Sequence, residues 1–116
     1  MNKHSYDKIF ILIDMKNPSE MFLREIGSGC KFRMLKSLLN AKLSVNELAE
    51  ASGLSQSHVS HNLKSLLACR FVEMVPKGKV HEYRLSKEIA PCIRGISNYI
   101  EKYGDFLTKC GGIKMV

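Results

Sequence analysis

Apolar residues return at helical spacing along most of the chain, and the polar residues between them mark where each helix starts and stops. Phe32, Leu35, Leu38 and Leu39 fall at i, i+3, i+6 and i+7, which predicts a helix over about 31–40 with one apolar face. Upstream, Asn17-Pro18-Ser19-Glu20 has the form of a helix start: a capping Asn, Pro at the first helical position and an acid in the first turn. Gly27-Ser28-Gly29 closes that helix. "AKLS" makes a turn, and Ser44 with Glu47 three residues on forms a capping box that opens a third helix, with Leu48 and Ala51 pointing inward. Gly53 breaks the pattern. Ser55 then caps a fourth helix reaching to about Cys69, with Val59, Leu63, Leu66 and Leu67 as its stripe.

The period then changes. Val72, Met74 and Val75 precede Pro76-Lys77-Gly78-Lys79, and Val80, Tyr83 and Leu85 follow, so two short strands around a glycine-containing turn predict a β-hairpin. After Ser86, Ile89, Ile93, Ile96, Ile100, Tyr103 and Leu107 step by 4, 3, 4, 3 and 4, a narrow seam of the kind that packs two helices together. Pro91 fits only in the first turn, so this helix starts near it. Residues 6–15, "YDKIFILIDM", read as strand or helix, with the β-branched run favouring strand.

The predicted fourth helix is unusual on its outer side. With Val59 and Leu63 inward, the outward set is Gln56, Ser57, His58, Ser60, His61 and Lys64, without one acid. Exposed helical faces usually carry Glu and Lys, which are strong helix formers. Short hydrogen-bonding side chains suit a groove about 12 Å wide, and the missing acids avoid repelling phosphates. A helix, a glycine turn, a second helix and a basic hairpin therefore predict a mainly α fold with a small β-hairpin wing, a winged helix-turn-helix. Gln56, Ser57, His58, Ser60 and His61 would meet base edges, Lys64 would attract phosphate, and Ser55 belongs to the same DNA-binding set. Lys77, Lys79, His81 and Arg84 on the hairpin would meet flanking phosphate or minor groove.

Length and composition agree with a single domain. The 116 residues are 45% hydrophobic and 25% charged, an ordinary globular balance. Within it, 17–43 and 86–109 supply core and dimerisation helices, 44–69 the helix-turn-helix and 71–85 the wing. The formal charge is +7, densest between residues 55 and 84, which favours an anionic partner. No apolar run approaches the roughly 20 residues of a membrane span, and "KIFILIDMK" lacks a cleavage site, so a cytoplasmic, nucleoid-associated protein is expected. No phosphate loop, nucleophile elbow or carboxylate pair suggests an enzyme. His4, His58, His61 and His81 have no ligand spacing with cysteine or carboxylate, so neither metal nor cofactor is expected.

"LSQSHVSHNLKSLL" resembles the recognition helix of the ArsR-type metal- and redox-sensing repressors, whose pattern reads close to L-S-Q-S-T-V-S-H-H-L-K-L-L. "REIGSGCKFRMLKSLL" is similar to that family's upstream segment, and "HEYRL" to its wing strand. The likeness spans about Phe22 to Leu107. It implies a homodimeric winged-helix repressor on a pseudo-palindromic operator, its recognition helices about 34 Å apart. The dimer interface would include Ile93, Ile96, Ile100, Tyr103 and Leu107. The departures are specific. Ser44-Val45-Asn46 stands where metal-sensing members carry C-x-C, the terminal helix has no histidine, and Arg70 stands where a turn glycine is usual. Neither standard metal site carries over.

Four separated cysteines, with no C-x-x-C pair, suggest reduced thiols. Cys69 reads as a small core residue. Cys30 opens a helix beside Lys31 and Arg33, an environment that favours thiolate. Cys92 starts the terminal helix, and Cys110 lies in the "KCGGIKMV" tail, expected to be mobile. Some members of the resembled family sense oxidants through paired cysteines. By that likeness Cys30 could bridge Cys92 or Cys110 and switch DNA affinity; inert thiols and structural disulfides are the alternatives. Two other functional readings stand beside the regulator: a protein-interaction module, and an architectural or viral DNA-binding accessory factor with no effector.

Overall fold

A computed structural model describes residues 17–113, with side chains to residue 110. The strand expected at 6–15 lies outside the described residues. Five helices and one hairpin follow in order: α1 (Pro18–Gly27), α2 (Gly29–Ser37), α3 (Val45–Ser52), α4 (Gln56–Ala68), β1 (Val72–Lys77), β2 (Val80–Leu85) and α5 (Ala90–Ile113). This is a winged helix-turn-helix.

The helix starts are set by side-chain oxygens that accept orphan backbone N–H groups. Asn17 Oδ1 accepts from the Ser19 and Glu20 amides at 2.9 and 3.3 Å, with Pro18 at the first helical position. Ser28 Oγ accepts from the Lys31 amide at 3.4 Å, so α2 begins two residues before the apolar pattern does and ends at Ser37 rather than Asn40. At α3 both halves of the capping box are made: Glu47 N–H to Ser44 Oγ at 3.2 Å and Ser44 N–H to Glu47 Oε1 at 2.9 Å. Gly53 ends α3 in the left-handed region at φ 74°, where a Cβ costs energy. Ser55 Oγ then accepts from the His58 amide at 3.1 Å and opens α4.

The end of α4 is a Schellman closure. The Phe71 amide donates to the Leu66 carbonyl at 3.0 Å and the Arg70 amide to the Leu67 carbonyl at 3.1 Å. Its left-handed position, usually glycine, is held by Arg70 at φ 63°. Leu66 and Phe71 are both buried across this closure. The Phe71 ring meets Phe22 of α1 edge-on at 5.3 Å between centroids.

The wing is tighter than the sequence suggested. Pro76 and Lys77 belong to β1, and the loop is only Gly78-Lys79, with Lys77 opposite Val80. Gly78 at φ 60° supplies the positive torsion that a two-residue hairpin loop requires. "AKLS" is more than a turn. Leu43 forms a bridge with Tyr83, its N–H donating to the Tyr83 carbonyl at 3.0 Å and its carbonyl accepting from the Tyr83 amide at 2.8 Å. The wing is thereby stapled to the segment that leads into α3.

The core lies where α2, α3, α4 and the start of α5 meet, and Met34, Leu35, Leu48, Val59, Leu66 and Ile93 are sealed from solvent. On α3 the second inward residue is Ala49, not Ala51, which is exposed. Ala49 is adjacent to Leu48 and still falls on the buried side of a short helix packed from two directions. Glu25 is also buried; its Oε1 lies 2.9 Å from Lys31 Nζ, joining α1 to α2.

Candidate nucleic-acid interface

The outer side of α4 is built by its own periodicity. At about 100° per residue, Gln56, Ser60, Lys64, Ser57 and His61 share an arc of roughly 140°, and Asn62, Val59, Leu66 and Leu63 occupy an opposing arc of roughly 100°. Burial follows that division. Val59, Asn62, Leu63 and Leu66 are buried, while Ser55, Gln56, Ser57, His58, Ser60, His61 and Lys64 are all exposed. Asn62, the one polar residue of the stretch that the periodicity turns inward, is buried. The Ser55 hydroxyl is occupied in capping the helix.

The wing's cations divide into two kinds. Arg84 Nε donates to Glu73 Oε2 across the hairpin at 2.9 Å, and Lys77 Nζ lies 3.6 Å from Glu82 Oε2. Both charges are therefore partly neutralised by neighbours on the same sheet. Lys79, in the loop, and His81, opposite Pro76, are exposed, and neither makes an ion pair among the described residues. The sequence did not reveal this division, because strand register decides which carboxylate faces which cation.

Two of the four thiols, Cys69 and Cys110, are placed differently from expectation. Cys30 is half-buried in the first turn of α2, and Cys92 is exposed in the first turn of α5. Cys110 is exposed on α5, which runs through the glycines of the expected tail to Ile113. Cys69 is no core residue. It sits at the C-cap of α4, exposed, because the Schellman closure turns the chain there before another inward position arrives. Partial burial, then Glu25, push its thiol above the usual range, against a smaller opposing effect of Lys31. Cys30, Cys69, Cys92 and Cys110 are all free thiols.

The α5 seam splits along its length. Ile93 is fully buried in the protomer's own core, so it is not an interface residue, and Ile96 is half-buried against the same core. The reason is that α5 begins beneath α2 and only later leaves the protomer. Ile100 and Leu107 are 41% and 47% exposed, with Tyr99 and Phe106 more so. Tyr103, half-buried, stacks at 4.8 Å on Tyr99 and marks a kink with non-helical torsions. The apolar stripe thus passes from the core into solvent along one helix.

A sequence profile described as bacterial regulatory protein, arsR family, matches residues 31–74. No curated protein matches the chain. Among solved structures, the homodimeric winged helix-turn-helix DNA-binding domain Mb0332 of Mycobacterium bovis, a possible ArsR-family transcriptional regulator, superposes with a TM-score of 0.64 at 16% identity, covering 91% of this chain and 93% of that one. NolR of Sinorhizobium fredii gives 0.62 at 25% identity over 90% and 95% of the two chains. HlyU of Vibrio cholerae N16961 gives 0.56 at 27% identity over 84% and 96%. From α2 to the first wing strand, residues 31–74, this chain is similar to the arsR family of bacterial regulatory proteins.

Proposed function

We propose that the chain is a sequence-specific double-stranded DNA-binding transcriptional regulator, a repressor, acting in the cytoplasm as a homodimer on a pseudo-palindromic operator. The observation that carries this is the outer arc of α4: short hydrogen-bonding side chains and one lysine, all exposed, with no carboxylate among them. Gln56, Ser57, His58, Ser60 and His61 read base edges, while Ser55 fixes the helix end that presents them. Lys64 and Lys79 attract phosphate, with His81 beside them; Lys77 and Arg84 act through what their carboxylate partners leave. The homodimeric DNA-binding description of Mb0332 supports the assembly, and the side of α5 that carries exposed Ile100 and Leu107 and half-buried Tyr103 supplies an apolar surface for it.

A thiol-dependent response belongs to the same reading, through Cys30, Cys92 and Cys110. Cys92 and Cys110 are 18 positions apart on one helix, roughly 27 Å, and cannot bridge each other within a chain. The resemblance to redox-sensing repressors is what pairs Cys30 with Cys92 or with Cys110. Thiol titration with and without oxidant, while operator affinity is followed, tests this; affinity indifferent to oxidation removes it.

The test of the interface starts with selection of bound duplexes from a random pool. On the selected operator, His61→Ala should cost roughly 1–3 kcal/mol with little effect on random duplex. Lys79→Ala should weaken both alike and flatten the salt dependence. A chain that shifts no duplex even at low salt would be a protein-interaction module instead.

A further inference from the structure

A second cationic surface lies away from the wing. Arg33 and Lys36, three positions apart on the exposed side of α2, line a groove of about 390 Å³ together with Ser37 and with Ala51 and Ser52 of α3. Three other cations are held by carboxylates: Lys31 by Glu25, Lys77 by Glu82 and Arg84 by Glu73. Arg33 and Lys36 have no ion pair among the described residues, and exposed Glu50 on α3, beside Ala51, reaches neither. The groove's two hydroxyls are committed as donors, Ser37 to the Arg33 carbonyl at 2.7 Å and Ser52 to the Ala49 carbonyl at 3.4 Å. The side-chain donors left for a ligand are therefore the guanidinium and the ammonium, a combination that selects an anion.

Position identifies which anion. Ser52 is followed by Gly53, Leu54 and then Ser55, the cap of α4, so the groove lies one turn of chain from the end of the helix that meets the bases. We infer that Arg33 and Lys36 clamp a phosphodiester of the DNA strand flanking the recognition helix, a second backbone contact beyond the wing. This rests on the DNA-binding reading above and extends it: with Lys79 on one side and Arg33/Lys36 on the other, α4 is held in register from both flanks.

The test measures duplex affinity against salt for the full-length protein and for Arg33→Gln/Lys36→Gln, with Arg33→Lys/Lys36→Arg as the conservative control and circular dichroism to show that each folds. Two lost phosphate contacts lower the slope of log affinity against log salt by about 1.8, which corresponds to about 10- to 60-fold weaker binding near 0.1 M salt, on operator and random duplex alike. The conservative variant keeps the wild-type slope. Unchanged slope and affinity in the glutamine variant, while His61→Ala still loses operator binding, overturns the clamp and leaves the DNA reading intact. A wild-type chain that binds no duplex overturns both. Saturable orthophosphate binding to the wild-type protein without duplex, lost in the glutamine variant while that variant keeps the wild-type duplex affinity and salt slope, would assign the groove to a free anion and overturn the clamp.

Discussion

Arg70 is where a single residue works against its backbone. Its φ of 63° lies in the region where an L side chain costs roughly 1–2 kcal/mol, yet the two closure hydrogen bonds and the buried Leu66 and Phe71 hold it there. Arg70→Gly should therefore stabilise the fold by about 0.5–1 kcal/mol, the relief being reduced by the flexibility glycine adds to the unfolded chain. Urea unfolding checks this through the midpoint. A lower midpoint would show that the Arg70 side chain makes a stabilising contact that outweighs its strain. The resemblance pointed to this position, because Arg70 stands where the family pattern usually has a turn glycine. It could not show Cys69 exposed, since that depends on where the closure turns the chain.

At the scale of elements, the joint between α1, α2 and α4 turns on Glu25. Burial raises its pKa, but the Ser65 hydroxyl and Lys31 outweigh burial and bring it below the ordinary 4.5. A carboxylate depressed on folding stabilises the native state fully above its unfolded pKa and loses that contribution as pH falls through the folded value. Stability should thus decline below about pH 4.5, and Glu25→Gln should be less stable than wild type at neutral pH while showing a shallower acid decline. Thermal melts from pH 3 to 7 measure both; parallel curves would remove Glu25 from the joint. Helix starts were legible residue by residue, because Asn17, Ser44 and Ser55 bond within their own first turn. The pairing of Glu25 with Lys31, the Arg84–Glu73 bridge and the Leu43–Tyr83 staple were not, because each depends on how separate elements dock.

For the molecule as a whole, α5 has two environments. Its first turns close the protomer's core through Ile93, and its later turns present Tyr99, Ile100, Phe106 and Leu107 to solvent. A uniform seam in the sequence could not reveal where that change falls. Ile100→Glu/Leu107→Glu should leave the protomer folded and convert a dimer to monomer in sedimentation velocity, with operator affinity falling more than tenfold as the two half-sites uncouple. A dimer that survives both charges would place the interface elsewhere. The staple between Leu43 and Tyr83 has a mechanical consequence. The hairpin is gripped at Tyr83 and free at Gly78-Lys79, about 13 Å away at strand rise, so it behaves as a lever whose fulcrum is the lead-in to α3. A tilt of only 5° at the fulcrum would carry the Lys79 backbone by about 1 Å, enough to lengthen a hydrogen bond past usefulness.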